Sequence, residues 1–63
     1  MTPTPQQEEW VSWLEDIETV GTNLTKWEED FCASIRERFD NGRYQLTERQ
    51  AEILERIYAE KTP

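Results

Sequence analysis

The sequence predicts an all-α fold, a small three-helix bundle that forms a single domain over residues 1–63. Three observations lead to this prediction. Apolar residues recur at spacings of three and four, which is the period of a helix with one buried face. Three threonines each stand three positions before a glutamine or a glutamate, the pattern that caps a helix start. No segment alternates apolar and polar residues as a half-buried strand would.

The first helix is predicted over residues 5–20. Thr4 is the expected N-cap, Gln7 completes the capping box, and Pro5 suits the first turn. Gly21 then acts as a stop signal. The apolar residues of this helix fall on one stripe, which consists of Trp10, Trp13, Leu14, Ile17 and Val20.

The second helix is predicted over residues 26–40, after a capping box formed by Thr25 and Glu28. Asn41 and Gly42 end it, because both residue types tolerate left-handed backbone. Its expected inward residues recur at every fourth position and are Trp27, Phe31, Ile35 and Phe39.

The third helix is predicted over residues 48–60, with Thr47 and Gln50 as its capping box. We expect residues 1–3 and 62–63 to fray. Because the connections are short, we expect helices two and three to form an antiparallel pair, with helix one packed across it. The apolar stripe of helix three consists of Ala51, Ile53, Leu54, Ile57 and Tyr58.

The net charge of −7 is concentrated in the first half of the chain. Residues 1–30 contain eight acidic residues and one basic residue, whereas residues 31–63 contain six of each. A negative field of this kind disfavours direct binding to nucleic acid or to an anionic membrane. No stretch of the sequence is apolar enough to span a membrane, and with no export signal and a single thiol we expect a cytoplasmic protein.

The residues needed for catalysis are missing from the sequence. There is no histidine to activate a hydroxyl or a thiol, and both glycines stand at helix ends rather than in a phosphate-binding loop. We therefore expect no enzyme activity, no cofactor and no metal ion. Cys32 borders the stripe of helix two. It is either a small apolar filler, which we favour, or a thiol for redox chemistry or a dimer disulfide.

The concentration of acids suggests a docking surface for a basic groove, in which carboxylates stand where nucleic-acid phosphates would bind. Neighbouring acids on a helix are closely spaced, as phosphates are. Trp10 is a candidate apolar anchor beside them, although its place in the stripe also suits the core. The expected partner-binding residues are Glu8, Glu9, Trp10, Glu15, Asp16, Glu18, Glu28, Glu29 and Asp30.

Other interpretations of the same sequence stay open. The acids could form a solvated face that only keeps the protein soluble, although the first helix carries no lysine or arginine to compensate them. The protein could instead be a homodimeric structural module with surplus aromatic surface. A third alternative is a helical nucleic-acid-associated or replication accessory module that contacts phosphates through Arg43, Arg49, Arg56 and Lys61.

Residues 24–61 also carry a recognisable pattern. It contains an L-T-x-W-E start, an S-I-x-x-R helix, a turn with glycine, and an L-T-x-x-Q helix ending in I-L-x-x-I-Y. This pattern resembles a short helical module of small phage-encoded and mobile-element proteins. Small acidic phage proteins include inhibitors of host defence nucleases, anti-CRISPR proteins among them, that occupy DNA-binding grooves. The resemblance therefore implies a DNA-mimic inhibitor acting in a host cytoplasm.

Overall fold

A computed structural model of the chain describes residues 2–62, and within them it contains three helices and no strand. These are α1 (Pro5–Val20), α2 (Lys26–Asp40) and α3 (Glu48–Lys61). The predicted all-α class and the three helix starts are confirmed, and α3 extends one residue beyond its predicted end. Thr62, which was expected to fray, donates its backbone N–H to the carbonyl of Tyr58. Residues 1 and 63 lie outside the described residues.

Each helix begins with the capping box that the sequence predicts. The hydroxyls of Thr4, Thr25 and Thr47 each accept a hydrogen bond from the backbone N–H three residues later. The glutamine or glutamate at that third position accepts in return from the threonine N–H. Two orphan N–H groups are thereby satisfied at each helix start, which fixes the boundary.

The two glycines end their helices in different ways. Gly42 has a φ of +76°, in the left-handed region that glycine enters without steric cost. Gly21 has a φ of −66°, and a Cβ at this position would lie 2.3 Å from the carbonyl oxygen of Ile17. At Gly21 the close approach of the chain to the preceding turn, and not the backbone dihedral, therefore requires glycine.

The order of packing differs from the prediction. α1 packs most closely on α3, it contacts α2 less, and the contact between α2 and α3 is the weakest of the three. Gln7 lies 3.4 Å from Gln45, just before α3, and the backbone N–H of Thr22 donates to the carbonyl of Lys61 at 3.1 Å. The first contact joins the start of α1 to the start of α3, and the second joins the end of α1 to the end of α3. α1 and α3 are therefore parallel, and α2 runs antiparallel to both.

The predicted α2–α3 pair with α1 packed across it was therefore wrong in its packing, because α1 and α3 pack most closely, but α2 and α3 are antiparallel as predicted. The prediction relied on closeness along the chain, whereas α1 packs more on α3 than on α2. The stacked rings of Trp13 and Tyr58, with centroids 5.6 Å apart, extend the contact between α1 and α3 at its edge. Contacts of this kind between large side chains remove apolar surface from water, which stabilises the packing of α1 on α3.

The core lies where the three apolar stripes meet. Leu14 and Leu54 are each 0% exposed. Cys32 and Leu46, which the predicted inward set did not contain, are buried as well. Among the residues that it did contain, Trp13, Phe31 and Tyr58 are half-buried. The complete buried set is Trp10, Leu14, Ile17, Cys32, Ile35, Phe39, Leu46, Leu54 and Ile57.

Trp27 is the clearest departure from the predicted core, because 60% of it is exposed. A stride of four residues advances by about 400° on a helix, which leaves an offset of about 40° at each step. Three such steps separate Trp27 from Phe39, so the two side chains point about 120° apart. The prediction treated this stride as a straight stripe, whereas the buried face of α2 follows Cys32, Ile35 and Phe39.

The difference in burial predicts that alanine destabilises the protein much more at Leu54 than at Trp27. Leu54→Ala should lower the free energy of unfolding by about 2–5 kcal/mol, enough to unfold most of a domain this small. Trp27→Ala should lower it by about 1 kcal/mol or less, because the ring loses mainly its stack on Phe31. Urea unfolding followed by circular dichroism measures both. Equal losses for the two variants would contradict the assigned core.

Candidate functional site

Four carboxylates project from the outer side of α1, and we call Glu8, Glu9, Glu15 and Asp16 the acidic face. Their direction is set by the buried residues of the same helix, since the inward stripe leaves these positions no place in the core. All four are exposed, and within residues 2–62 none forms an ion pair within 4.0 Å. Glu8 and Glu15 are seven residues apart, as are Glu9 and Asp16, so each pair spans about 10 Å along the helix axis.

Glu18 differs from the acidic face because it has a partner on α2. The guanidinium of Arg36 donates to both of its carboxylate oxygens, with the Nε bond at 3.2 Å. The hydrogen bond to Glu18 raises the pKa of Arg36 above its ordinary value, and the charges of Asp40 and Glu15 contribute in the same direction. The first helix carries no lysine or arginine of its own, and a base from α2 compensates Glu18.

Glu28 is also engaged within the fold. Its carboxylate accepts the backbone N–H of Thr25 at 2.8 Å and lies 3.7 Å from the Nζ of Lys61. Lys61 also donates to the carbonyl of Asn23 at 3.3 Å. The backbone hydrogen bond from Thr25, together with the charge of Lys61, lowers the pKa of Glu28. Glu28 therefore connects the start of α2 to the end of α3 and is not a free docking group.

The other two acids in the first turns of α2 remain accessible. Glu29 is exposed, and Asp30 lies 3.6 Å from Lys26 one turn earlier. Both members of that pair are largely exposed, so water screens their attraction. The structure therefore leaves Glu29 and Asp30 on the surface.

Trp10 and Trp27, the two tryptophans that bear on docking, differ in exposure. Trp10, the candidate anchor, is 6% exposed and belongs to the core. Trp27, assigned to the core, is exposed and stacks on Phe31 with ring centroids 5.6 Å apart. The exposed aromatic of this protein therefore stands at the start of α2, directly before Glu28, Glu29 and Asp30. The angular drift of the four-residue stride was the signal that could have identified it.

The basic residues of the nucleic-acid alternative do not form one stripe. Lys61 is held by Glu28 and by the carbonyl of Asn23. Arg49 and Arg56 lie on α3, whereas Arg43 belongs to the α2–α3 connection; all three are exposed, with no ion pair within 4.0 Å in the described part of the chain. Arg43 lines an open cavity of about 440 Å³ with Tyr44 and neighbouring residues.

Cys32 is buried and surrounded by groups that disfavour its thiolate. Burial raises the pKa of the thiol to about 11, and the charges of Glu18 and Glu28 add to the effect. The thiol is therefore protonated at neutral pH and poorly nucleophilic. These properties favour the filler interpretation over redox chemistry or a dimer disulfide.

Residues 2–62 bring together no group of three or more cysteine, aspartate or glutamate side chains placed to hold a metal ion. No helix in this part of the chain has both the length and the apolar character needed to cross a membrane.

No protein-family model, curated protein or solved structure matches this chain.

The contacts of Glu28 predict an acid-sensitive contribution to stability. A carboxylate with a lowered pKa stabilises the fold above its unfolded value, about 4.3 for glutamate, and loses that contribution as the pH falls through its folded value. Glu28→Gln keeps an acceptor for the cap but removes the charge. The fall in melting temperature from about pH 5 to about pH 3 should therefore be smaller in this variant than in the parent.

Glu29→Gln is the matched control, since it makes the same change one residue later at an exposed position. Its acid sensitivity should equal that of the parent. Identical profiles of melting temperature against pH for the two variants would show that the contacts of Glu28 do not contribute to the acid sensitivity of the fold.

Proposed function

We propose that the protein is a small acidic interaction protein that docks on the basic nucleic-acid-binding groove of another protein. The observation that carries this proposal is the acidic face, whose four carboxylates are exposed and without an ion pair among the described residues. The fold neutralises Glu18 and Glu28 through bases on other helices, and the acidic face has no such partner. A basic surface on a second protein would provide the missing counter-charge.

The spacing of the acidic face supports mimicry of a nucleic-acid strand. Carboxylates seven residues apart on α1 are separated by about 10 Å along the axis. Phosphates of one DNA strand rise by about 3.4 Å each, so this separation corresponds to about three nucleotides. A rigid helix holds these charges without the entropy cost that flexible side chains on a loop would add.

Trp27 supplies an apolar anchor in place of the buried Trp10. It is largely exposed, stacks on Phe31 and stands beside the exposed acids Glu29 and Asp30. Tryptophan is favoured at binding hot spots because one side chain buries a large area. The proposed docking residues are therefore Glu8, Glu9, Glu15, Asp16, Trp27, Glu29 and Asp30.

The resemblance to phage-encoded modules adds the class of partner. It points to a host enzyme that holds nucleic acid in a basic groove, as the targets of DNA-mimic anti-CRISPR inhibitors do. The activity expected on this basis is inhibition by exclusion of nucleic acid, with no catalytic residue and no cofactor in the inhibitor.

Charge reversal on the acidic face tests the proposal. The tagged parent protein should capture a protein from host lysate, and duplex DNA should displace that protein in proportion to its concentration. Glu15→Lys combined with Asp16→Lys should weaken this capture by at least about 100-fold, because like charges that meet in a desolvated interface cost several kcal/mol. Quantitative pull-down measures the loss, and circular dichroism verifies that helical content is retained.

Glu37→Lys combined with Glu60→Lys is the control, because it makes the same change in net charge on α2 and α3 at exposed positions. This control should bind like the parent. If the variant of the acidic face also binds like the parent while folded, the acids only solubilise the protein and the proposal is wrong.

The nucleic-acid alternative makes a separate prediction. If the negative field dominates, the purified protein at micromolar concentration should not shift duplex DNA, single-stranded DNA or RNA at moderate salt. Electrophoretic mobility measures this. A shift that weakens with added salt and disappears after Arg49→Ala and Arg56→Ala would favour the alternative.

The homodimer alternative is favoured by one observation, the exposed stack of Trp27 on Phe31. Sedimentation equilibrium distinguishes it, since a dimer formed through this stack would dissociate on Trp27→Ala while the core stays intact.

A further inference from the structure

A groove runs between the parallel helices α1 and α3, on the side where Trp13 stacks on Tyr58. Its volume is about 530 Å³, within the range of roughly 300–1,000 Å³ typical of clefts that hold small ligands. Trp10 and Trp13 line it from α1, and Leu46 and Ala51 line it from the start of α3. The groove therefore has an apolar floor that contains two indole rings.

Carboxylates border this floor from both helices. Glu9 contributes from α1, and Glu48, Glu52 and Glu55 contribute from α3 at spacings of four and three, which places them on one side of that helix. Among the described residues, no lysine or arginine lines the groove. Arg49 and Arg56 line neighbouring cavities, which share Glu52 and Glu55 with the groove. The zero net charge of residues 31–63 hides this local concentration of acids.

Trp10 presents only a small part of its surface to the groove, because 6% of the residue is exposed. Trp13 is half-buried, so it exposes the larger indole area of the two where they line the groove.

We propose that this groove binds an extended peptide segment of a protein, with one arginine side chain inserted between Glu9 of α1 and Glu55 of α3. The planar guanidinium of arginine stacks on aromatic rings and donates to carboxylates at the same time. An anionic ligand would be repelled by the four carboxylates, and a purely apolar ligand would leave them without a partner.

This inference rests on the proposed function only for the basic character of the partner. The groove lies between α1 and α3, and Glu9 is the one residue that it shares with the acidic face. Its occupant is one basic side chain on an extended segment, whereas the acidic face meets a basic groove. The two sites can therefore fail independently.

The probe is a capped pentapeptide, acetyl-Gly-Ala-Arg-Ala-Gly-amide, titrated into the ¹⁵N-labelled protein. The three tryptophan indole N–H signals report separately: Trp10 and Trp13 line the groove, while Trp27 does not. The signals of Trp10 and Trp13 should shift and saturate, and the Trp27 signal should not move. The same peptide with citrulline in place of arginine keeps the shape without the charge, and it should bind at least about fivefold more weakly.

Glu9→Gln combined with Glu55→Gln should weaken binding of the arginine peptide by about fivefold, since it removes two exposed charge contacts. Glu37→Gln combined with Glu60→Gln is the control with the same change in net charge and should bind like the parent. The variant Glu15→Lys with Asp16→Lys should also keep the response of Trp10 and Trp13, which separates this site from the proposed docking surface.

Three results with the parent protein would overturn the inference: equal affinity for the citrulline peptide, a Trp27 shift as large as those of Trp10 and Trp13, or no response at millimolar peptide. A fourth is a variant with Glu9→Gln and Glu55→Gln that binds the arginine peptide as tightly as the parent does. Loss of DNA-competed capture by the variant of the acidic face, with no peptide response in the parent, would support the proposed function and reject the groove.

Discussion

The burial of the apolar stripe of α1 against α3 is the interaction on which the rest of this structure depends. Leu14 and Leu54 are the most deeply buried residues of the two helices, and a chain of 63 residues has little other apolar surface to bury. Because α1 and α3 are parallel, α2 must return antiparallel between their ends. The same packing turns Trp10 inward and Glu8, Glu9, Glu15 and Asp16 outward.

Electrostatics then divides the acids into two groups. Glu18 and Glu28 lie where helices meet, and Arg36 and Lys61 from other helices neutralise them. The acids on the outer side of α1 form no ion pair within 4.0 Å among residues 2–62. Some carboxylates thus form ion pairs that stabilise the fold, and the negative charge of the others is not compensated within the described residues. A surface of the second kind attracts a basic partner over a distance set by the ionic strength.

The proposed docking surface and the proposed groove follow from this division. Both are rich in unpaired carboxylates, and both belong in part to α1, where Glu9 borders each of them. They differ in what accompanies the charge. The acidic face consists of exposed carboxylates on a rigid helix, which suits an extended basic surface. The groove adds two indole rings, which suits the flat guanidinium of one arginine side chain.

The sequence by itself determined the helices of this protein, because their signals are local. Thr4, Thr25 and Thr47 cap their helices through residues three positions away, and the period of the apolar residues identifies a buried face within each helix. Only the tertiary structure decided how those faces rotate and meet. Trp10 is buried because α1 packs on α3. The exposure of Trp27, in contrast, follows from the drift of a four-residue stride around the helix, which the sequence already contains. The pairing of Glu18 with Arg36 and the acidic groove arise between residues distant in sequence, where no local rule of spacing applies.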